Sequence, residues 1–239
     1  MDTHSCRKQM NKDKRHTSQS VPSPSERARK RLRLKVCGMK YQDNIKQVAA
    51  LQPDYLGFIF YEKSARHFDT VIPELPKSIK KTGVFVDADL NFIIEKIKIH
   101  NLQAIQLHGE ESPEYCKELQ SKKVEVIKVF SIKDEFDFSI LKPYEGIVDY
   151  FLFDTKGKLP GGNGYIFDWT ILNNYPSTTP FFLSGGIGLN QIDSILSFLQ
   201  RQESKYCYAL DVNSKFEIEP GLKNIEEIKA FKQNLSFRT

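Results

Sequence analysis

From residue 32 onward the chain alternates two kinds of segment. Short, almost continuously apolar runs lie at 32–37, 55–60, 82–86, 104–107, 124–130, 150–153, 180–184 and 207–212. Runs of this length and make-up predict parallel strands covered on both faces. Between them, apolar residues fall at helical spacing: Ile45, Val48, Ala49 and Gln52, then Phe92, Ile93 and Ile97, then Ile192, Ile195, Leu196 and Leu199. Ile225, Ile228, Ala230 and Phe231 predict a closing helix. The connector around 72–79 is weakest, because Pro73 and Pro76 interrupt it. Eight strands with alternating helices predict an α/β fold, a single (β/α)8 TIM barrel. A doubly wound sheet is the runner-up. It would carry its glycine-rich loop after the first strand, and here the glycines fall late.

Residues 1–31 break this pattern. They are rich in Ser, Pro, Lys and Arg and nearly lack large apolar side chains, so they read as a disordered basic tail, with the barrel domain at 32–239. The tail changes the meaning of the overall charge of +5: residues 1–33 carry +7, and the rest carry −2. The folded body therefore gives no electrostatic case for a nucleic-acid partner. No apolar stretch reaches the roughly 20 residues that span a bilayer, and no secretory signal is evident, so no membrane role is expected. Cys6, Cys37, Cys116 and Cys207 are widely spaced. That argues against a zinc site or a disulfide framework and fits a reducing cytoplasm.

Barrels of this type carry their chemistry where strands end and loops begin. Cys37 follows the first run, beside Gly38, and Asp154 occupies the matching place after the sixth. A thiol there is core filler or a reactive group; the aspartate partner suggests an acid–base pair. Arg66, on the loop after the second run, suits a planar carboxylate, which its guanidinium fork binds with two hydrogen bonds. Gln106 and His108 end the fourth run, and His108 either lines the pocket or bonds to its neighbours. Gly185 and Gly186 follow the seventh run, and Asn213 and Ser214 the eighth, where barrels commonly bind phosphate. Gly161-Gly162-Asn163-Gly164 predicts a lid loop, Asp168 a helix cap and Trp169 a packing residue. His108 is the only imidazole at a strand end, so no metal centre is expected.

Taken in order, these motifs resemble the phosphoribosylanthranilate isomerase family over roughly residues 33–235. They are Lys35-Val36-Cys37-Gly38-Met39, Leu56-Gly57-Phe58 with Ser64-Ala65-Arg66, Gln106-Leu107-His108-Gly109, Phe153-Asp154-Thr155, Leu183-Ser184-Gly185-Gly186, and Asp211-Val212-Asn213-Ser214 with Glu217 and Pro220-Gly221. The resemblance implies the third step of tryptophan biosynthesis. In that step N-(5′-phosphoribosyl)anthranilate rearranges to a carboxyphenylamino-deoxyribulose phosphate. It implies Cys37 as general base, Asp154 as general acid, and Arg66, Gln106 and His108 as substrate-binding residues. It further implies phosphate held at Gly185, Gly186, Asn213 and Ser214, with no metal or organic cofactor. A monomer or a homodimer fits equally. The strand-eight loop departs from the family pattern at Lys215, where many members carry glycine. Indole-glycerol-phosphate synthase is the nearest competing barrel, but it needs lysine and glutamate at several strand ends. A competing reading from another class is a non-catalytic barrel that binds nucleic acid or regulates through its tail.

Overall fold

The computed structural model describes residues 1, 32–133, 135–155 and 167–236. The basic tail and the glycine-rich lid sequence lie outside these residues.

Eight parallel strands close on themselves: β1 Arg33–Val36, β2 Tyr55–Ile59, β3 Lys80–Phe85, β4 Ala104–Leu107, β5 Glu125–Ile132, β6 Tyr150–Thr155, β7 Phe181–Leu183 and β8 Cys207–Val212. Register is continuous around the closure, with Lys35 paired to Asp211 on β8 and to Tyr55 on β2. Closure leaves the barrel sheet without an edge strand, and alternation sorts the strands into inner and outer faces. The alternation is interrupted by a register shift where β7 meets β8, which lets consecutive Tyr208 and Ala209 both join the inner core. The inner face carries a compact core of Tyr55, Ala104, Ile127, Val129, Leu152, Phe182, Tyr208 and Ala209. The outer face packs Val36, Phe58, Ile105, Phe151 and Leu210 against the helices.

Five α-helices lie among the described residues: α1 Gln42–Ala50, α2 Leu90–His100, α3 Pro113–Gln120, α4 Ile192–Leu199 and α5 Ile225–Ser236. Helix α2 begins where the Asp89 carboxylate accepts the amides of Asn91 and Phe92. It ends at Asn101, which takes the left-handed conformation (φ 48°) common at helix ends. Helix α3 starts on the Ser112 cap with Pro113 in its first turn. No helix forms between β2 and β3, where Pro73 and Pro76 fall. The β5–β6 connection is a single 3-10 stretch, Phe138–Tyr144. After β8 a short hairpin, β9 Glu217–Glu219 and β10 Leu222–Lys223, folds back over α1 before α5 closes the chain.

Two expectations change in detail. Gln52 lies beyond α1, with φ 52°, and does not continue its apolar face. Phe92 is half-exposed against Lys96, leaving Ile93 to bury the face of α2. Asp168 caps the 3-10 turn Trp169–Asn174 by accepting the Thr170 amide, and Trp169 packs edge-on against Phe198. No helix among the described residues is long and apolar enough to cross a membrane.

Candidate active site

The strand ends converge on a cavity of about 1270 Å³ at the C-terminal mouth of the barrel. Cys37, Arg66, Gln106, His108, Asp154, Gly185, Gly186, Asn213 and Ser214 all lie on its wall, and Lys215 joins them.

Cys37 is set by backbone on both sides. Its amide donates to Val212 of β8 (2.9 Å), and the Met39 amide donates to Gly57 of β2 (2.9 Å). Gly38 between them adopts φ +72°, and a Cβ there would stand 2.7 Å from Asn213 Oδ1 and 2.8 Å from Arg66 Cδ. The glycine therefore lets the loops after β2 and β8 close on the thiol. Burial pushes the Cys37 thiol up; Lys35 pulls it down, Asp211 raises it, and Lys223 pulls it down again. Lys35 Nζ is fully buried beneath the site and donates to Asp211 Oδ1 at 2.8 Å. Asp211 holds the Lys35 charge against burial, while burial pushes the Asp211 carboxyl up against the pull of Lys35.

Asp154 stands on β6, separated from β1 around the barrel by β7 and β8. Its Oδ1 accepts the Thr155 amide (2.9 Å), and its Oδ2 lies 3.6 Å from His108 Nε2. Burial pushes its carboxyl up to about 6, against the opposing pull of the Thr155 amide, Lys35 and Ser184. His108 moves the other way. Burial, then Lys35 and Lys128, press it down to about 4, so its ring is neutral beside the acid. The proton of this pair therefore rests on the carboxyl. Gln106 Nε2 lies 3.3 Å from His108 Nδ1, and Gln106 Oε1 is buried without a hydrogen-bond partner.

Arg66 does not wait with an open fork. Its Nε and Nη2 donate to the Glu217 carboxylate at 2.9 and 2.6 Å, and Lys223 Nζ donates to the same carboxylate at 2.7 Å. Burial works against the Glu217 charge, yet the two cations hold its carboxyl below the usual range. Lys223 was not among the residues expected at the site. It lies on a short polar hairpin after the last strand, where a lysine ordinarily reads as solvated. Lys35 and Lys128 were signalled only as charges inside apolar runs. Lys128 pairs with Glu111 at 3.2 Å and caps the Gly109 carbonyl at 2.7 Å.

Among the described residues no group of three or more His, Cys, Asp or Glu side chains is arranged to hold a metal ion. The chemistry on offer is a buried thiol, a carboxylic acid that holds its proton up to about pH 6, and flanking groups for anions.

Residues 34–234 match the family model described as N-(5'phosphoribosyl)anthranilate (PRA) isomerase. A curated N-(5'-phosphoribosyl)anthranilate isomerase from Parabacteroides distasonis is 45% identical over 208 residues, covering 84% of this chain and 92% of that protein. The one from Phocaeicola vulgatus is 40% identical over 198 residues, covering 83% and 95%. The crystal structure of phosphoribosyl anthranilate isomerase from Thermotoga maritima superposes with a TM-score of 0.75 at 30% identity, covering 87% of this chain and all of that one. A structure of that enzyme type in complex with reduced 1-(o-carboxyphenylamino)-1-deoxyribulose 5-phosphate superposes at 0.71 with 28% identity, covering 87% and 100%.

Proposed function

The chain belongs to the N-(5'-phosphoribosyl)anthranilate isomerase family, and from that premise we propose how its own residues carry out the isomerase reaction of tryptophan biosynthesis. Asp154 is the general acid, Cys37 the general base, and Arg66 the anchor for the aryl carboxylate. Gly185, Gly186, Asn213 and Ser214 hold the phosphate, with Gln106 and His108 lining the sugar between these ends. Catalysis resides in residues 32–239 in this reading.

One observation supports the reading above the others: two proton-transfer groups share one cavity, and burial raises the carboxyl of one to about 6. A carboxylic acid raised to about 6 lies closer to neutral pH than a free aspartate and suits donation to the ribose ring oxygen. Ring opening leaves a Schiff base whose iminium acidifies the neighbouring C2′–H. The Cys37 thiolate then takes that proton, and the resulting enolamine tautomerises to the ketone. The buried thiol needs help to ionise. Lys35 and Lys223 supply part of it, and the iminium adds positive charge at the step that requires the thiolate. Neutral His108 beside Asp154 offers no competing charged acid.

The test is the loss of N-(5'-phosphoribosyl)anthranilate fluorescence on adding the purified full chain, repeated with residues 1–31 removed. Turnover by both forms is expected. Absence of turnover by the full chain would sink the reading, and loss confined to the truncated form would move function into the tail.

A further inference from the structure

The hairpin after β8 carries two charges, Glu217 and Lys223, that pack against Arg66 and Asn213 of the cavity wall. Glu217 occupies the Nε–Nη2 edge of Arg66, so that edge is closed to any substrate. Taken alone, the pair is neutral and exerts little pull on a carboxylate. Lys223 changes the count. Its Nζ donates to Glu217 Oε1 (2.7 Å) and to Asn213 Oδ1 (2.7 Å), and the lysine is 1% exposed. Arg66, Glu217 and Lys223 together carry one net positive charge, in a place where water screens little.

The arrangement is built rather than incidental. The Lys223 amide donates to Asn44 Oδ1 (2.7 Å), and Asn44 Nδ2 donates back to the Lys223 carbonyl (2.9 Å), so α1 fixes the lysine backbone from both sides. Gly221 adds an amide to Glu217 at 3.1 Å. Burial draws the Lys223 ammonium down to about 8, and Glu217 is the main force holding its proton on; Cys37 adds to that hold and Arg66 opposes it. A buried lysine is costly, and a neutral residue would fill the space with less penalty.

We propose that Lys223 is a specificity-determining residue and that Glu217 is the positioning residue that orients Arg66. Glu217 fixes the plane of Arg66, leaving its Nη1 edge for the aryl carboxylate. Lys223 restores the positive charge that Glu217 cancels, and ties Arg66 through Asn213 to the phosphate loop. The proposal rests on Arg66 as the carboxylate anchor. Its chemical content is discrimination: an aminoaldose phosphate with an anionic aryl group is preferred over a neutral one of the same shape.

The experiment compares kcat/KM for N-(5'-phosphoribosyl)anthranilate and for its 2-carboxamide analogue. Lys223→Met leaves the triad neutral and is expected to lower the acid-to-amide preference about tenfold, as removal of one nearby charge requires. Glu217→Gln raises the net charge to +2 and is expected to leave the preference at or above wild type. Glu217→Gln/Lys223→Met returns the net charge to +1 and is expected to recover most of it. A general loss of folding would depress both substrates together and leave their ratio fixed. If Lys223→Met does not fold, the single Glu217 variant and the double variant carry the charge count alone. An unchanged ratio in Lys223→Met, or a drop in Glu217→Gln, overturns the proposal. Arg66→Ala separates the two levels. If it keeps the preference, the anchor itself is wrong; if it loses the preference while Lys223→Met does not, only the present inference fails.

Discussion

The two ends of the barrel interior treat polar groups in opposite ways. At the N-terminal end, Tyr55, Tyr150, Phe182 and Tyr208 interlock, with ring centroids 4.3 Å apart for Tyr150 and Tyr208 and 5.4 Å for Tyr55 and Phe182. The Tyr55 hydroxyl donates to Glu125 (2.9 Å) and sits 3.0 Å from that of Tyr208, while Lys80 pairs with Glu125 and Arg33 lies 4.2 Å over the Tyr208 ring. Burial pushes Tyr55 and Tyr150 well above ordinary phenols, so both stay neutral. At the C-terminal end, an acid is raised, a histidine is lowered, and Gln106 Oε1 has no partner. One end spends its polar groups on each other; the other holds them in states that a ligand would relieve. The lower end is thus a plug, and the upper end is the candidate site.

The sharpest break in this comparison is kinetic. Cys37→Ser and Asp154→Asn should each cut turnover by about 10²- to 10⁴-fold, with the circular dichroism spectrum unchanged. Near-normal turnover in both would dissolve the distinction between the ends. Next comes Phe182→Ala in the plug, expected to cost about 3–5 kcal/mol in urea unfolding. The kcat/KM of the enzyme that remains folded should hold. A kinetic loss without a shift in the urea midpoint would mean that the plug participates in chemistry.

A smaller effect has the opposite sign. Asp154 is raised from 3.8 to about 6, so the native state binds its proton more tightly than the unfolded chain does. That contribution is fully present below about pH 4 and is lost as pH rises toward 6. Asp154→Asn should therefore be more stable than wild type at pH 7, by about 1–3 kcal/mol. The gap should close on acidification from about pH 6 to pH 4. A variant less stable at pH 7 would show that the site stores no cost there. Smallest of all, Tyr208→Phe should lose about 1 kcal/mol through the Tyr55 hydroxyl contact. Its kcat and KM should not move; a changed KM would connect the two ends.

Much of the frame was legible because burial on both faces leaves a plain record in sequence. Eight apolar runs became eight strands, each end within two residues of the prediction. Helix α3 escaped notice because only Cys116 and Leu119 bury from it, too few to show a period. Its Ser112-Pro113 start was the available signal. The placing of Cys37 and Asp154 on the cavity wall was readable because a strand end is a recognisable address. Glu217 was quoted as part of a motif but not given a role, and Lys223 was passed over. Charged residues on a loop look solvated, and only the fold shows that β10 carries this lysine beneath the substrate loops. Arg66 was expected to meet a carboxylate. The first carboxylate it meets belongs to the chain itself.

Gly57 sits on β2 beside the thiol, and a Cβ built on it would come within 2.7 Å of Cys37 Sγ and 3.0 Å of Cys37 Cα. Glycine in a strand is ordinarily a weakness, and alanine there ordinarily helps by narrowing the unfolded ensemble. Here one added methyl group lands on the Cys37 sulfur, the proposed base, and on the backbone that carries it. In a mutational survey this position would score with the acid and the base, although it has no functional group to lose. A thiol at this place needs the empty space next to it.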